Sequence, residues 1–280
     1  MDCKEKKQLQ IIANEIRQGV ITGVHSAKSG HPGGSLSITD ILTYLYFKEM
    51  NVDPKNPKMA DRDRFVLSKG HTAPALYSTL AEKGFFSKDL LKTLRKPDSI
   101  LQGHPDMKKI PGVDMTTGSL GLGLSSACGM AIAGKKKGES YRVYCAVGDG
   151  EIEEGQIWEA AMFAAHYNLT NLCVIVDLNG LQIDGSTDEV MSSKPVDKKF
   201  EAFNFNVITI DGHDFDQIDD AFAKARACTD KPTAILANTV KGKGVSYMEN
   251  NVSWHGNPPN DEQYEQAMAE LKAQRAELEA

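Results

Sequence analysis

Two acidic and amide side chains set the first chemical question. The run "VYCAVGDG" carries β-formers into Gly148-Asp149-Gly150, and "DLNGLQIDG" carries a second apolar run into Asn179. Asp149 and Asn179 are 30 residues apart (179 − 149), about the length of one strand–helix–strand unit. Either turn alone is an ordinary Gly-Asp or Asn-Gly loop. Together, at the ends of neighbouring strands, they offer two hard oxygen donors to one site. Such donors suit Mg²⁺, which fills its octahedral shell with waters and phosphate oxygens. A metal–diphosphate site is the expectation.

The histidines form a second group. His25 and His166 lie in helical patterns and read as packing or surface residues. His213, in "DGHDF", reads as a turn residue ahead of a helix. His31, His71, His104 and His255 instead sit in segments flanked by glycine or proline: Gly30-His31-Pro32, Gly70-His71, Gly103-His104-Pro105 and Trp254-His255-Gly256. Loops of this kind carry function more often than core segments do, and imidazoles titrate near neutrality.

Those groups need elements to position them. Leu9, Ile12, Ile16, Val20 and Val24 predict a helix over 5–28, followed by a loop "SGHPGGS" and a helix over 36–50. Strands are expected at 64–68, 142–147, 172–177, 207–210 and 233–239. Helices are expected at 73–84, 119–134, 154–167, 215–227 and 261–280, the last amphipathic. Residues 96–118 read as a loop rich in proline and glycine. Nearly all-apolar strands alternating with helices imply an α/β fold, a mostly parallel sheet with helices on both faces. Ligands of such sheets bind at the carboxyl ends of the strands. No repeat or linker divides the chain, so a single domain over 1–280 is expected. The Gly/Ala/Ser-rich run 118–134 suits close packing, within the chain or between subunits. Glu151 and Glu153 read as acidic residues of a first helical turn, and Lys135 to Lys137 as a helix C-terminus, both favoured by the dipole.

The motifs, taken in order, resemble the thiamin-diphosphate signature as transketolases write it. "GDGEIEEG" and "LNGLQIDG" are joined by "SGHPGG" (29–34), "DRFVLSKGHTAPALY" (63–77), "QGHPDMKKIPGVDMTTGSLGLG" (102–123), "VKGKG" (240–244) and "WHG" (254–256). The resemblance covers nearly the whole chain and implies the thiamin-diphosphate-binding fold. It implies Mg²⁺ held by Asp149, Asn179 and the Leu181 carbonyl. It places Gly150 against the diphosphate and Gly118, Ser119 and Leu120 in the loop that contacts the cofactor. It assigns His31, His104 and His255 to a substrate channel where they handle protons, and His71 to cofactor and substrate. His255 and Lys241 match cofactor-site positions. Glu154 matches a glutamate of an acidic network near the subunit interface.

The implied activity is transfer of a two-carbon ketol unit from a ketose phosphate to an aldose phosphate, as in the pentose phosphate pathway. The expected length of a whole transketolase is several hundred residues greater. The resemblance therefore implies the N-terminal subunit of a split enzyme, active only with a C-terminal partner that binds the pyrimidine. The expected assembly has two of each chain, with homodimer contact between like subunits. The alternatives are deoxyxylulose phosphate synthesis, a transketolase for an unusual sugar, and a non-catalytic cofactor-binding subunit. So is a fragment of a longer protein, although the helix at 261–280 reads as a natural stop.

Composition narrows the class. A net charge of −6 argues against a general nucleic-acid binder. No apolar run approaches the ~18 residues of a bilayer span, and "MDCKEKKQLQ" has no export signal. Five scattered cysteines without a CxxC fit a reduced, cytoplasmic protein.

Overall fold

The computed structural model describes residues 1–280. Helix α1 (Cys3–Ala27) starts where Asp2 accepts a hydrogen bond from the Glu5 amide, 2.7 Å away. Its Leu9, Ile16, Val20 and Val24 are buried as the sequence spacing calls for, while Ile12 of that stripe is only half-buried and Ala13 beside it is buried instead. The next helical path departs from expectation. It begins inside the "SGHPGGS" segment, because Pro32 sits at the first helical position, where its missing N–H costs nothing. It runs as α2 (Pro32–Ser37), α3 (Thr39–Tyr44) and a π-turn at Leu45–Glu49.

Strand β1 (Arg64–Leu67) leads to α4 (Ala73–Lys83), which closes on Gly84 in the left-handed region at φ 97°. Then come α5 (Leu122–Lys137), β2 (Val143–Gly148), a 3₁₀ turn at Glu151–Glu153, α6 (Gly155–His166) and β3 (Leu172–Leu178). Two short helices, α7 (Thr187–Val190) and α8 (Val196–Ala202), precede β4 (Asn206–Asp211). The chain ends with α9 (Phe215–Ala227), β5 (Thr233–Asn238) and α10 (Asp261–Glu279).

All four strand pairings are parallel, in the order β1-β2-β3-β5-β4. The chain steps sideways from β1 to β3, jumps to the edge at β4 and returns to β5. Right-handed crossovers then put helices on opposite faces when the direction reverses. Strand residues alternate between the two. Val66, Cys145, Val147, Val174, Val176 and Leu236 pack with α5, α6 and α8. Phe65, Leu67, Tyr144, Ala146, Ile175 and Ile235 pack with α1, α3, α4, α9 and α10. Burial on both faces explains why the strands read as unbroken apolar runs. Each fully buried Val or Ile contributes roughly 1.5–3 kcal/mol.

Three further differences concern the site. Helix α5 starts at Leu122 rather than 119, which leaves residues 118–121 as a loop. Glu151 is buried rather than solvated at a helix start. Residues 88–93 and helices α7 and α8 have no counterpart in the sequence reading. The cysteines are all free, and no helix is long and apolar enough to cross a membrane.

Candidate cofactor and active site

Four strand ends and one helix start converge. Beyond β1 come Ser68, Lys69, Gly70 and His71; beyond β2, Asp149; beyond β3, Asn179; beyond β5, Thr239 and Lys241. His31 stands immediately before α2. Gly70 is required by close approach: a Cβ there would lie 2.7 Å from Thr117 Oγ1 and 3.1 Å from the Gly118 amide. That contact brings the 117–121 loop onto the His71 segment.

Below the site runs a buried ion pair. Asp177 and Lys69 are 0% and 2% exposed, with the ammonium directly on the carboxylate. Ser37 Oγ donates to Asp177 at 2.6 Å, and the Thr239 hydroxyl donates to its other oxygen. Burial alone would raise the Asp177 pKa; the Lys69 ammonium and these donors reverse that and hold it below the usual carboxylate range. Asn179 Nδ2 lies 3.2 Å from the same carboxylate. A carboxylate only accepts, so the Asn179 carbonyl oxygen must face the other way.

Glu151 locks the neighbouring loops. It accepts from the Gly121 amide at 2.9 Å, the Gly148 amide at 3.0 Å and the Ser68 hydroxyl. Its type hid this role, since acidic residues at a helix start are usually solvated. Glu153 accepts from Gln182 Nε2 at 3.0 Å.

Above this floor lies a cavity of about 350 Å³. Asp149, Gly150, Asn179, Leu181, Lys241, His31, His71, His255, Gly118 and Leu120 all line it. His104 stands behind Gly118: a Cβ on that glycine would be 3.5 Å from the imidazole. Ser119 is exposed beside Gly118. Glu154 is exposed outside the wall, ahead of α6, and caps it with no side-chain hydrogen bond. Lining residues that sequence reasoning missed include Lys69, Glu151, Gln182 and Ile183. Of these, Lys69 was within reach, since "SKGH" is one motif. His213, read as a turn residue, is instead a strut: its Nδ1 is 2.7 Å from Asp40 and its Nε2 accepts from the Val240 amide at 2.9 Å.

The cavity's electrostatics are uneven. Asp149 is pushed up to about 6, first by burial and then by the charge of Asp177, against hydrogen bonds from the amides of Gly180 and Gly150. Burial pushes Lys241 down to about 8, partly offset by Asp149. Its ammonium touches the Leu181 carbonyl and His255 Nδ1, each at 2.8 Å. The imidazoles of His31, His71 and His255 have ring centroids 5.1 to 5.6 Å apart. Burial and then nearby cations lower all three: His31 to about 4, His255 to about 3, His71 well below its ordinary value. Burial likewise lowers His104. The cluster is therefore neutral at pH 7. His31 Nδ1 is buried with no partner, an atom that a ligand would satisfy.

These features fit a metal-bound diphosphate. One wall carries oxygen donors and glycine backbone, with a lysine that an anion would recharge. No group of three or more His, Cys, Asp or Glu side chains is placed to hold a metal by itself. A cation here would take carboxylate, amide and carbonyl oxygens, which is the hard donor set Mg²⁺ prefers.

Comparison with known proteins identifies the family. The family described as transketolase, thiamine diphosphate binding domain, matches residues 8–277. The 6-deoxy-6-sulfo-D-fructose transketolase subunit SqwG of Clostridium sp. (strain MSTE9) is 45% identical over 273 residues, covering 98% of this chain and 99% of that protein. An apulose-4-phosphate transketolase subunit of Phocaeicola vulgatus is 44% identical over 271 residues, covering 97% and 96%. The crystal structure of transketolase from Campylobacter jejuni superimposes with a TM-score of 0.90 at 33% identity, covering 99% of this chain and 46% of that one. With the fold and nearly the full length matched, the chain belongs to the transketolase family, as a thiamine diphosphate binding domain of the length of a separate transketolase subunit.

Proposed function

We propose that this chain is the diphosphate-binding subunit of a two-chain transketolase, which with a pyrimidine-binding partner moves a two-carbon ketol unit between sugars bearing an anionic group. The observation that carries the reading is one cavity with oxygen donors on one wall and neutral imidazoles on the other. Asp149, Asn179 and the Leu181 carbonyl would hold Mg²⁺; Gly150, Gly118, Ser119, Leu120 and Lys241 would seat the diphosphate. When bound, thiamin diphosphate supplies a carbon nucleophile that breaks and remakes the bond beside a ketose carbonyl.

This chain's residues serve the proton transfers. Neutral His31, His104 and His255 accept hydroxyl protons and hydrogen-bond carbonyl oxygens as charge develops on them. His71, stacked at 5.3 Å on His255, orients the cofactor side of the cluster. Glu154, exposed outside the wall, acts through contact with another subunit.

The relatives that match at full length are named for 6-deoxy-6-sulfo-D-fructose and apulose-4-phosphate. Those names favour a transketolase for an unusual sugar as the second reading, over ordinary pentose phosphates. The test mixes the purified chain with its co-purifying partner, Mg²⁺ and thiamin diphosphate. Turnover should appear only in the mixture. Efficient turnover by the chain alone, or none in the mixture with any ketose, overturns the proposal.

A further inference from the structure

The Arg95 guanidinium makes no hydrogen bond and no ion pair, alone among those of the seven arginines. Arg17, Arg62, Arg226 and Arg275 bind carboxylates. Arg64 and Arg142 donate to backbone carbonyls. A partly buried guanidinium ordinarily finds an acceptor, so an idle one calls for an explanation.

Its placement is built. Arg95 adopts the left-handed region at φ 58°, and its amide closes a loop by donating to the Leu101 carbonyl at 2.8 Å. The buried Tyr77 hydroxyl, 2.9 Å from the carbonyls of both Gln102 and His104, ties down the far side of that loop. The guanidinium lies against Gly103, where a Cβ would come within 2.9 Å of its Cζ. It is therefore seated next to His104, which itself backs Gly118 in the cavity wall. Its charge is felt at both His104 and His31, second only to burial in lowering each.

We infer that Arg95 reads the anionic end of the sugar, a phosphate or sulfonate, at the mouth of the channel beyond His31 and His104. The inference rests on the transketolase reading above and extends it, since it puts a group that binds the sugar's anion on this chain. A planar guanidinium presents paired N–H donors that match two oxygens of either anion. An uncharged sugar has nothing there that needs such a group.

The test uses the reconstituted enzyme with its partner and cofactor, with Arg95→Ala and Arg95→Lys compared on three kinds of substrate. Uncharged erythrulose and glycolaldehyde form one arm; a phosphorylated sugar and a sulfonated sugar form the others. For Arg95→Ala the KM of the true anionic sugar should rise about 10- to 100-fold, the size of a lost charge-assisted bidentate contact. Uncharged substrates should change less than about twofold. Arg95→Lys should recover part of the loss, since it keeps charge but not the fork. The anion with the larger dependence identifies the source. Equal losses on charged and uncharged substrates would show that Arg95 acts only through the imidazoles, and would overturn the inference. An unchanged KM in Arg95→Ala would do so too. Absence of cofactor-dependent turnover of the uncharged pair by the unaltered enzyme would instead defeat the functional reading itself.

Discussion

At the scale of single residues, Lys241 is where charge and burial compete most directly. Desolvation lowers its pKa to about 8, and its ammonium rests on the Leu181 carbonyl, an oxygen we propose as a ligand of the cation. An incoming diphosphate would supply the missing counter-charge. Lys241 is charged below about 8 and neutral above it, so it attracts an anion less as the pH rises through that value. Pyrophosphate binding in the presence of Mg²⁺, followed by calorimetry, should weaken about tenfold in Lys241→Met. The weakening of the natural chain between pH 7 and 9 should be flatter in the variant. Equal affinities at pH 7 would remove Lys241 from the site. Asp149 and Asn179 were legible because glycine turns announce them. Glu151 and the Lys69–Asp177 pair were not, because a charge buried against a specific donor looks, in sequence, like a charge in water.

At the scale of elements, the same loop depends on a support behind it. Arg17 of α1 meets Asp40 of α3 through both guanidinium nitrogens, at 3.0 and 2.6 Å, and its Nε donates to the Lys243 carbonyl. His213 completes the triad and receives the Val240 amide, one residue before Lys241. Burial alone would raise the Asp40 carboxyl; Arg17 and His213 bring it down to about 2. A depressed carboxylate contributes stability that is present above its unfolded pKa near 3.8 and fades as the pH falls toward 2. Asp40→Asn leaves a buried guanidinium half-paired and should cost about 3–5 kcal/mol at pH 7. Denaturant unfolding should show the gap between variant and natural chain shrinking below pH 4; a gap that is constant with pH would deny the ion pair its role. A second junction behaves oppositely. Burial, and then a shared hydrogen bond with Glu15, raises Glu82 of α4 to about 6. A raised carboxyl binds more protons folded than unfolded between about 4.5 and 6, so its contribution to stability falls as the pH rises through that window. Glu82→Gln should flatten the slope there, and an unchanged slope would place the cause elsewhere. The strands were readable because two-sided burial demands unbroken apolar runs. The start of α5 was not, since Gly121 at φ 85° breaks the helix and leaves 118–121 as a loop. Helix α8 escaped notice because a short charged segment hides one fully buried anchor, Phe200.

At the scale of the whole molecule, the cavity is unfinished on one side. Leu120 and Ile183 line it, yet are 38% and 61% exposed. The apolar exposure continues onto α5 and α6 with Leu122 at 51%, Met162 at 62%, and Phe163 and Tyr167 beyond. A single exposed apolar residue is unremarkable, but a run beginning in a ligand cavity marks an interaction surface. The sequence hinted at it through the small residues of 118–134, though composition alone left open whether they pack inside the chain or between chains. In the structure Gly129 faces open space, and a Cβ there meets nothing within 4 Å. The proposed two-chain enzyme gives the surface its occupant, other subunits of the same assembly. Leu122→Glu with Met162→Glu should therefore leave the unfolding free energy of the isolated chain within about 0.5 kcal/mol, as exposed substitutions do. The same pair should break the assembly in sedimentation with the partner present, and turnover should fall with it. Assembly and turnover that survive both charges would place the subunit contact elsewhere and leave the open side of the cavity to solvent.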